Sequence, residues 1–352
     1  MHFVFTEEQA MIGETARAFF AENATSERTR AAMAADGIDA ALWSAFCQEL
    51  GLSGIGIPES AGGAGLGLVE LAIIAEAAGA QVAALPMLGS LALSAQAIAA
   101  GGSAEQQAAH LPGLLSGETI AAYVHDAGLA ADGGTLTGEA GFVAHGASAQ
   151  NFVVTSNTGA WIVPANAPGL TVTRLTTMDQ TRPYARVTLA GAAGEPLADA
   201  AAAIAAAHRA GFVTVAAEAL GGAQACLDRT AAYAKERVQF GRAIGSFQAY
   251  KHRLADMMIE IEQARSAVYW AACAVDEGSE EAAIALHAAK SFCADTYFMV
   301  AGNMIQLHGG IGFTWEHDAH LFFKRARSIQ SMLGNGNFHR EAIAQRILGE
   351  AA

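Results

Sequence analysis

This sequence is short of charge. Only 15% of its 352 residues are Asp, Glu, Lys or Arg, and 34 acidic side chains outnumber 20 basic ones, for a net charge of −14. That balance argues against nucleic acid as a ligand, because affinity for it comes mainly from Lys and Arg neutralising phosphates. Cysteine is scarce as well. Cys47, Cys226, Cys273 and Cys293 show no metal-ligand spacing and have apolar, periodic neighbours, as buried reduced thiols do. His317 and His320 lie near Glu316 and Asp318, but this is not the spacing of a zinc site, and no metal is expected. Uninterrupted apolar runs of membrane length are missing too. The most apolar region, Ala200 to Leu220, is broken by His208, Arg209 and Glu218, so no span is expected there. The opening MHFVFTEEQ has no basic segment ahead of an apolar run, so a cytoplasmic protein without a signal peptide is the expectation.

What the chain does have is apolar bulk, 53% of residues, and abundant alanine. That is ample for a large core in two or three packed layers. Alanine loses no side-chain entropy in a helix, so a mainly α protein is expected. The low surface charge suggests that part of the surface is covered by other subunits.

Helical patterning dominates residues 1–120. Thr6 followed by Gln9 predicts an N-cap with a capping-box partner. GLSGIGIPESAGGAGLGLVEL (Gly51 to Leu71) is glycine-rich, but Leu68 stands where G-x-G-x-x-G would need its third glycine, and no βαβ pattern surrounds it. A turn-rich loop is the better reading than a phosphate cradle. Over 121–197 the texture changes to short β-prone runs, Phe152–Thr155, Trp161–Val163 and Leu170–Thr173, punctuated by Gly159, Asn166 and Pro168. A small antiparallel β domain is expected there. Over 198–352 the pattern is helical again, with segments at 200–235, 247–276, 280–307 and 317–348, the last broken near Gly334 to Gly336. Leu254, Met257, Met258, Ile261, Ala264, Val268 and Ala271 form one apolar stripe of the kind that builds a helix bundle.

Two C-terminal stretches carry the most information. ALGGAQACLDRTAAYAKERVQFGRAIGSFQAYKHRLADM and NMIQLHGGIGFTWEHDAHLFFKRARSI are similar, in order and over their whole length, to the acyl-CoA dehydrogenase family. The N-terminal glycine-rich stretch and LPGLLSGETIA also look like that family. The resemblance implies an N-terminal helical domain, a middle β domain of barrel or sandwich type, and a C-terminal four-helix bundle. It also implies FAD shared across a subunit interface, an acyl-CoA thioester as substrate, and an electron-transfer flavoprotein as acceptor. By the same resemblance Arg237 of R-x-x-F-G meets the FAD pyrophosphate of a neighbouring subunit, and Phe240 and Gln248 line the same end of the cofactor. Gln306, Gly309 and Gly310 match Q-x-x-G-G, where backbone approaches the nucleotide. The chemistry suits: arginine presents a charged planar fork to phosphate oxygens, and glycine lets backbone come close. A helix C-cap is a compatible second role for Gly309 and Gly310.

The resemblance fails elsewhere. Flavin-cupping members carry L-T-E-P-x-A-G-S-D; here the stretch reads Ala122-Tyr123-Val124-His125-Asp126-Ala127-Gly128. Their W-I-T-N-G corresponds to Phe142-Val143-Ala144-His145-Gly146, and Ala144 has no hydroxyl for the flavin. The catalytic glutamate of a Y-E-G turn is replaced in Met332-Leu333-Gly334. The other family position for that acid falls in Arg209-Ala210-Gly211-Phe212, again without one. The family T-x-Q becomes Asn335-Gly336-Asn337, where the amide of Asn337 could partly substitute. Glu218 is the nearest alternative base, but it lies seven residues past Gly211, about 10 Å further along the helix. Pairing with a bundle arginine is the competing role for it. Phe313 and Trp315 are expected as core or interface aromatics, and His308 as a cap or core residue.

Three readings follow. The first is a subunit of a heteromeric acyl-CoA dehydrogenase, a heterotetramer with a second acyl-CoA dehydrogenase chain, which holds the adenine and pyrophosphate half of FAD in trans and lacks its own base. In the family such split enzymes often take bulky polycyclic acyl groups such as steroid side chains. The second is a homomeric dehydrogenase with an unusual base. The third is a non-enzymatic scaffold or acyl-CoA-binding protein on the same fold.

Overall fold

A computed structural model describes residues 5–125, 128–132, 134–156 and 158–349. Helices α1 (Glu7–Asn23), α2 (Ser26–Ala34), α3 (Ala40–Ser44), α4 (Leu68–Ala80), α5 (Gln96–Gly101) and α6 (Ala104–Leu115) come first, with π-helical turns at Ala45–Glu49 and Leu88–Ala95. Eight strands follow: β1 (Ala121–His125), β2 (Ala130–Asp132), β3 (Thr135–Ala144), β4 (Asn151–Ser156), β5 (Gly159–Pro164), β6 (Leu170–Arg174), β7 (Tyr184–Ala193) and β8 (Glu195–Pro196). Then come α7 (Ala200–Glu236), a hairpin of β9 (Val238–Gln239) and β10 (Arg242–Ala243), α8 (Gln248–Asp276), α9 (Ala282–His308), α10 (Ala319–Ser331) and α11 (Gly336–Leu348). Helical N- and C-terminal parts thus flank a middle β part, and the four C-terminal helical segments fall where the periodicity predicts them.

The chain packs as two compact units. One comprises residues 1–26, 68–83 and 212–352; the other comprises 27–67 and 84–211. In the first, α9 is central and packs on α8, α10 and α11. α1 opens with the expected capping box, in which Thr6 Oγ1 accepts from Gln9 N–H and Gln9 Oε1 accepts from Thr6 N–H. α4 is buried on almost every side. Its first two N–H groups, Leu68 and Val69, donate to the carboxylate of Asp276 at the end of α8, at 2.8 and 3.0 Å. Orphan amides of a helix start are thereby satisfied from a distant element. α4 and α7 approach so closely that a Cβ on Gly221 would lie 1.9 Å from Glu76 O.

In the second unit two four-stranded sheets, β1-β4-β5-β8 and β2-β3-β7-β6, enclose a core of Val124, Phe152, Val154, Leu136, Val187 and Leu189. β1 pairs parallel to β4, with Ala121 opposite Asn151, so the β part is not wholly antiparallel as expected. β2 and β3 lie between these strands in sequence and pair in the other sheet, and that excursion supplies the crossover a parallel pair requires. β3 and β7 escape the sequence reading because glycine and alanine dilute their alternation. The glycine-rich stretch is a turn-rich loop up to Gly67, as read, and leads into α4 at Leu68. Gly63 is required there because a Cβ would sit 2.1 Å from Ile57 O. α7 is long and apolar enough to cross a membrane by length and composition, and 56% of its most apolar window is buried within the fold.

Candidate functional site

The site begins where α7 ends. Arg237 is the first residue beyond the helix, and its backbone is held on both sides: its N–H donates to Tyr233 O at 2.9 Å, and its carbonyl accepts from Ile244 N–H at 2.8 Å. Its side chain is exposed. Between these fixed points β9 and β10 pair antiparallel, Gln239 opposite Arg242, and Phe240-Gly241 makes the two-residue turn. Both turn residues have positive φ, 53° and 77°, as a type I′ hairpin demands. Glycine adopts that backbone freely, whereas phenylalanine is strained there. Phe240 is nevertheless 92% exposed, so its position is not set by a core of this chain. Phe247 stands edge-on to it at 6.2 Å, and the Arg242 guanidinium lies 4.0 Å over the Phe247 ring.

Three helix ends meet around this hairpin. Tyr233 of α7 stacks on His308 of α9 with centroids 4.5 Å apart. Tyr250 of α8 donates its hydroxyl to Leu307 O at 3.1 Å, and burial pushes its phenol up to about 12, so it remains a donor. His308 is buried, and its Nδ1 donates to Met304 O at 2.7 Å. Desolvation lowers its pKa, which keeps the ring neutral. Around this anchor the predicted residues are open to solvent: Gln248 starts α8 without a side-chain cap, Gln306 is exposed near the end of α9, and Gly309 and Gly310 follow. Gly309 has φ 64° and ψ −141°, a backbone few other residues adopt. A Cβ on either glycine would meet nothing within 4 Å. No neighbour among the described residues therefore requires Gly310 to be small, and the space beside it is open. Lys251 and His252 are exposed close by, and Arg253, also exposed, donates to Asn303 Oδ1 at 2.9 Å. Guanidinium forks, uncapped amides, bare glycine backbone and an exposed aromatic ring form a set that can hold a pyrophosphate and a nucleobase.

Asn337 is not brought to this end. Its Oδ1 accepts from Arg340, which in turn pairs with Asp295 at 3.2 Å. Asp295 lies eleven residues before Gln306 on α9, about 16 Å along the axis. Leu333 sits in the turn between α10 and α11 with φ 53°, followed by Gly334 at φ 98°. Glu218 is buried inside the helical unit and bonded to Arg325, which is equally buried. Neither guanidinium nor carboxylate faces solvent.

In the β part, Ala122, Tyr123 and Val124 are buried in β1, whereas Asp126 and Ala127 lie outside the described residues. Thr155 Oγ1 donates to Tyr123 Oη at 3.1 Å and contacts His125 Nδ1 at 2.9 Å. Ala144 is paired with Tyr184 across β3 and β7, beyond a register shift between Ala140 and Val143. Phe142, at φ 58°, is 71% exposed. Phe313 and Trp315 are not core residues: they are 86% and 62% exposed, with Lys324 Nζ 4.1 Å over the indole. Phe313 closes, and Trp315 follows, the 3-10 turn Gly309–Phe313 that leads on from the end of α9. Among the described residues no group of three or more His, Cys, Asp or Glu is placed to hold a metal. A cavity of about 480 Å³ opens in the second unit beside Trp43, Gln48, Gln150 and Arg174, and none of the predicted residues lines it.

Sequence reasoning missed a cluster beneath the Leu333 turn made of buried Lys290 and His339 with half-buried His287. Its only signal was a lysine in an otherwise apolar stretch of α9.

Comparison with known proteins fits this architecture. Residues 6–118 match the acyl-CoA dehydrogenase N-terminal domain, and residues 210–348 match the acyl-CoA dehydrogenase C-terminal domain. The chain is 37% identical over 340 residues to acyl-CoA dehydrogenase IpdE2 of Mycobacterium tuberculosis, covering 93% of each chain. Among solved structures it is similar to the ChsE4–ChsE5 complex from Mycobacterium tuberculosis, at 29% identity and TM-score 0.91 over 100% of both chains. It is also similar to a variant of the Tcur3481–Tcur3483 steroid ACAD, at 32% identity and TM-score 0.87, over 97% of this chain and 98% of that one. The chain belongs to the acyl-CoA dehydrogenase family.

Proposed function

We propose that this chain is the partner-dependent subunit of a two-chain acyl-CoA dehydrogenase. It holds the adenine and pyrophosphate end of an FAD whose flavin ring is seated in a second acyl-CoA dehydrogenase subunit. The observation that carries this reading is a contrast within one polypeptide. Arg237, Phe240, Gln248, Gln306, Gly309 and Gly310 gather at one exposed end of the bundle, whereas position 333 is a leucine and Glu218 is closed against Arg325. A carboxylate buried in an ion pair has no lone pair turned to a substrate, and leucine accepts no proton. General-base catalysis needs an acid–base group within hydrogen-bond reach of the reacting carbon.

FAD, when bound, supplies the acceptor for the hydride that leaves the β carbon of an acyl-CoA thioester. Arg237 binds and orients the pyrophosphate, and the backbone at Gly309 and Gly310 lets the nucleotide approach. Phe240 offers a face to the adenine end. The base that takes the α proton, and the cup around the flavin ring, belong to the second chain. Two of the similar solved structures are named as pairs of chains, and one of them as a steroid ACAD, which supports a heterotetramer acting on a bulky polycyclic acyl-CoA. An electron-transfer flavoprotein as final acceptor and a cytoplasmic location complete the proposal.

The test is purification of the chain alone and together with an acyl-CoA dehydrogenase partner. The lone chain is expected to carry little FAD and to show no turnover, and the complex to carry FAD and be active. A lone chain that purifies with stoichiometric FAD and oxidises acyl-CoA overturns the reading.

A further inference from the structure

The turn at Leu333 is held by a hydrogen-bond chain that runs through the buried Lys290 and His339. Lys290 is fully buried on α9. Its ammonium donates to Ile329 O at 3.2 Å, to Gln330 O at 3.3 Å and to Gly334 O. An ammonium has three N–H groups, so all three are occupied by carbonyls at the end of α10 and in the turn. His339, fully buried on α11, reaches the same turn: its Nε2 lies 3.1 Å from Leu333 O. A carbonyl only accepts, so Nε2 carries the proton, and in a neutral ring Nδ1 is then bare. Nδ1 of His339 lies 2.8 Å from Nδ1 of His287, which must therefore be the donor. The chain of donors runs from His287 through His339 to Leu333 O, and both imidazoles are neutral. A second proton on His339 forces His287 to move its own proton from Nδ1 to Nε2, and it places an imidazolium in the interior beside the Lys290 ammonium.

We propose that this relay is an acid-released latch: neutral imidazoles fasten the 332–335 turn and α11 to α9, and protonation of His339 lets them go.

The surroundings favour release over tolerance of the extra charge. Phe212 and Phe338 close over the fully buried His339 at 5.0 and 5.2 Å, so water cannot solvate a charge on that ring, and both also flank the half-buried His287. The charged groups around the pair are Lys290 and Asp295 on α9 and Arg340 and Arg346 on α11. Lys290 bears on His339, and Arg346 on His287. Asp295 is shared with Arg340 and Gln330. Cations thus outnumber the acid three to one. Desolvation first, then Lys290 and His287, push His339 down to about 3, and desolvation with Arg346 lowers His287. The closed form resists protonation and the released form does not. Release therefore gains roughly tenfold per pH unit below about 6.5, on the order of 30-fold at pH 5 from His339 alone.

The test is backbone amide exchange on the full chain, read as protection factors so that intrinsic pH effects cancel. Between pH 7 and pH 5, protection over residues 333–348 is expected to fall roughly 30-fold while α1 holds. His339→Gln separates titration from structure, since Gln Oε1 accepts where Nδ1 does and its Nε2 donates where the imidazole Nε2 does. It is expected to keep protection at pH 7 and abolish the fall at pH 5. Unchanged protection in the parent chain, or the same fall in His339→Gln, overturns the latch. Should His339→Gln not fold, side-chain ¹⁵N spectra of the parent chain decide: a neutral Nε2–H tautomer of His339 at pH 7 supports it, and a charged or Nδ1–H ring rules it out.

Discussion

The two ends of α9 are built on opposite terms. Around His287 and Lys290 the ammonium and the facing imidazole nitrogens are paired inside the chain: three carbonyls take the ammonium, and the imidazoles bond each other and the Leu333 turn. Around Gln306 to Gly310 the anchoring groups are equally fixed, through Tyr233, Tyr250 and His308, yet the surface they support is open. It presents bare glycine backbone, an exposed amide and a strained, 92% exposed phenylalanine. Strain and exposure that bring little internal contact are expected where a partner supplies the compensation. A closed end stabilises the chain; on the proposed function, the open, braced end is the one that holds the cofactor. Mutations at the two ends should therefore separate cleanly, with stability changing at one and ligand retention at the other.

The largest effect belongs to the buried ion pair. Glu218→Ala leaves the Arg325 guanidinium without its carboxylate in the interior. Removing one member of such a pair costs about 3–5 kcal/mol, and chemical denaturation should register that loss. The same residue tests the competing function. Were Glu218 the catalytic base, Glu218→Gln would abolish turnover of the FAD-loaded complex. The expected result is retained activity in whatever fraction folds.

At the open end, Arg237→Ala should leave the denaturation midpoint unchanged, because the side chain is exposed and its backbone bonds persist. It should weaken FAD retention by the complex by about 1.5–3 kcal/mol, the range for a hydrogen bond to a charged group. Fluorimetric FAD titration of the complex reads this directly. A loss of stability without a change in FAD affinity would place Arg237 with the closed end and break the comparison.

How much of this was legible beforehand follows from the same contrast. The helices read well because alanine-rich segments with three-four periodicity leave little alternative, and the Thr6–Gln9 capping box was visible as a local pattern. The braced end was legible as residue types, since Arg237 and Gly309-Gly310 sit in a long ordered match. The hairpin turn at Phe240 was not, because no rule places phenylalanine at positive φ. The parallel pairing of β1 with β4 depends on which strands meet in space, a non-local fact that short runs do not encode. The ion pair of Glu218 was foreseeable only as a generic bundle arginine; that the partner is Arg325, 107 residues on, emerges from packing alone. The closed cluster was least legible of all, since His287, Lys290 and His339 are separated by up to 52 residues and carry no motif.

Acid should act most on the closed end, where His339 carries the large shift, although His308 at the open end is lowered too. His339 is held at about 3 in the folded chain against an ordinary value near 6.5. Between those two values the unfolded state binds a proton that the folded state does not, so stability falls as pH drops below about 6.5. The slope approaches about 1.4 kcal/mol per pH unit for one group, or about 2 kcal/mol by pH 5. Denaturation midpoints measured from pH 7 to pH 5 check the size, and their flattening in His339→Gln checks the source.

Gly310→Ala should give the smallest stability change and the sharpest discrimination. The added Cβ meets nothing within 4 Å in the chain, and Gly310 is not among the positive-φ glycines. Alanine at such a position changes stability by about 0.4–1 kcal/mol, in the stabilising direction, by restricting the unfolded chain. If the space beside Gly310 is kept for a nucleotide, the same methyl group must lower FAD retention by the complex. Stability and binding would then move in opposite directions from one methyl group, an outcome that ordinary misfolding cannot imitate. A variant that is slightly more stable and binds FAD as before would show that the empty space at this end of α9 is surface, and that the brace of Tyr233, Tyr250 and His308 serves the bundle rather than a ligand.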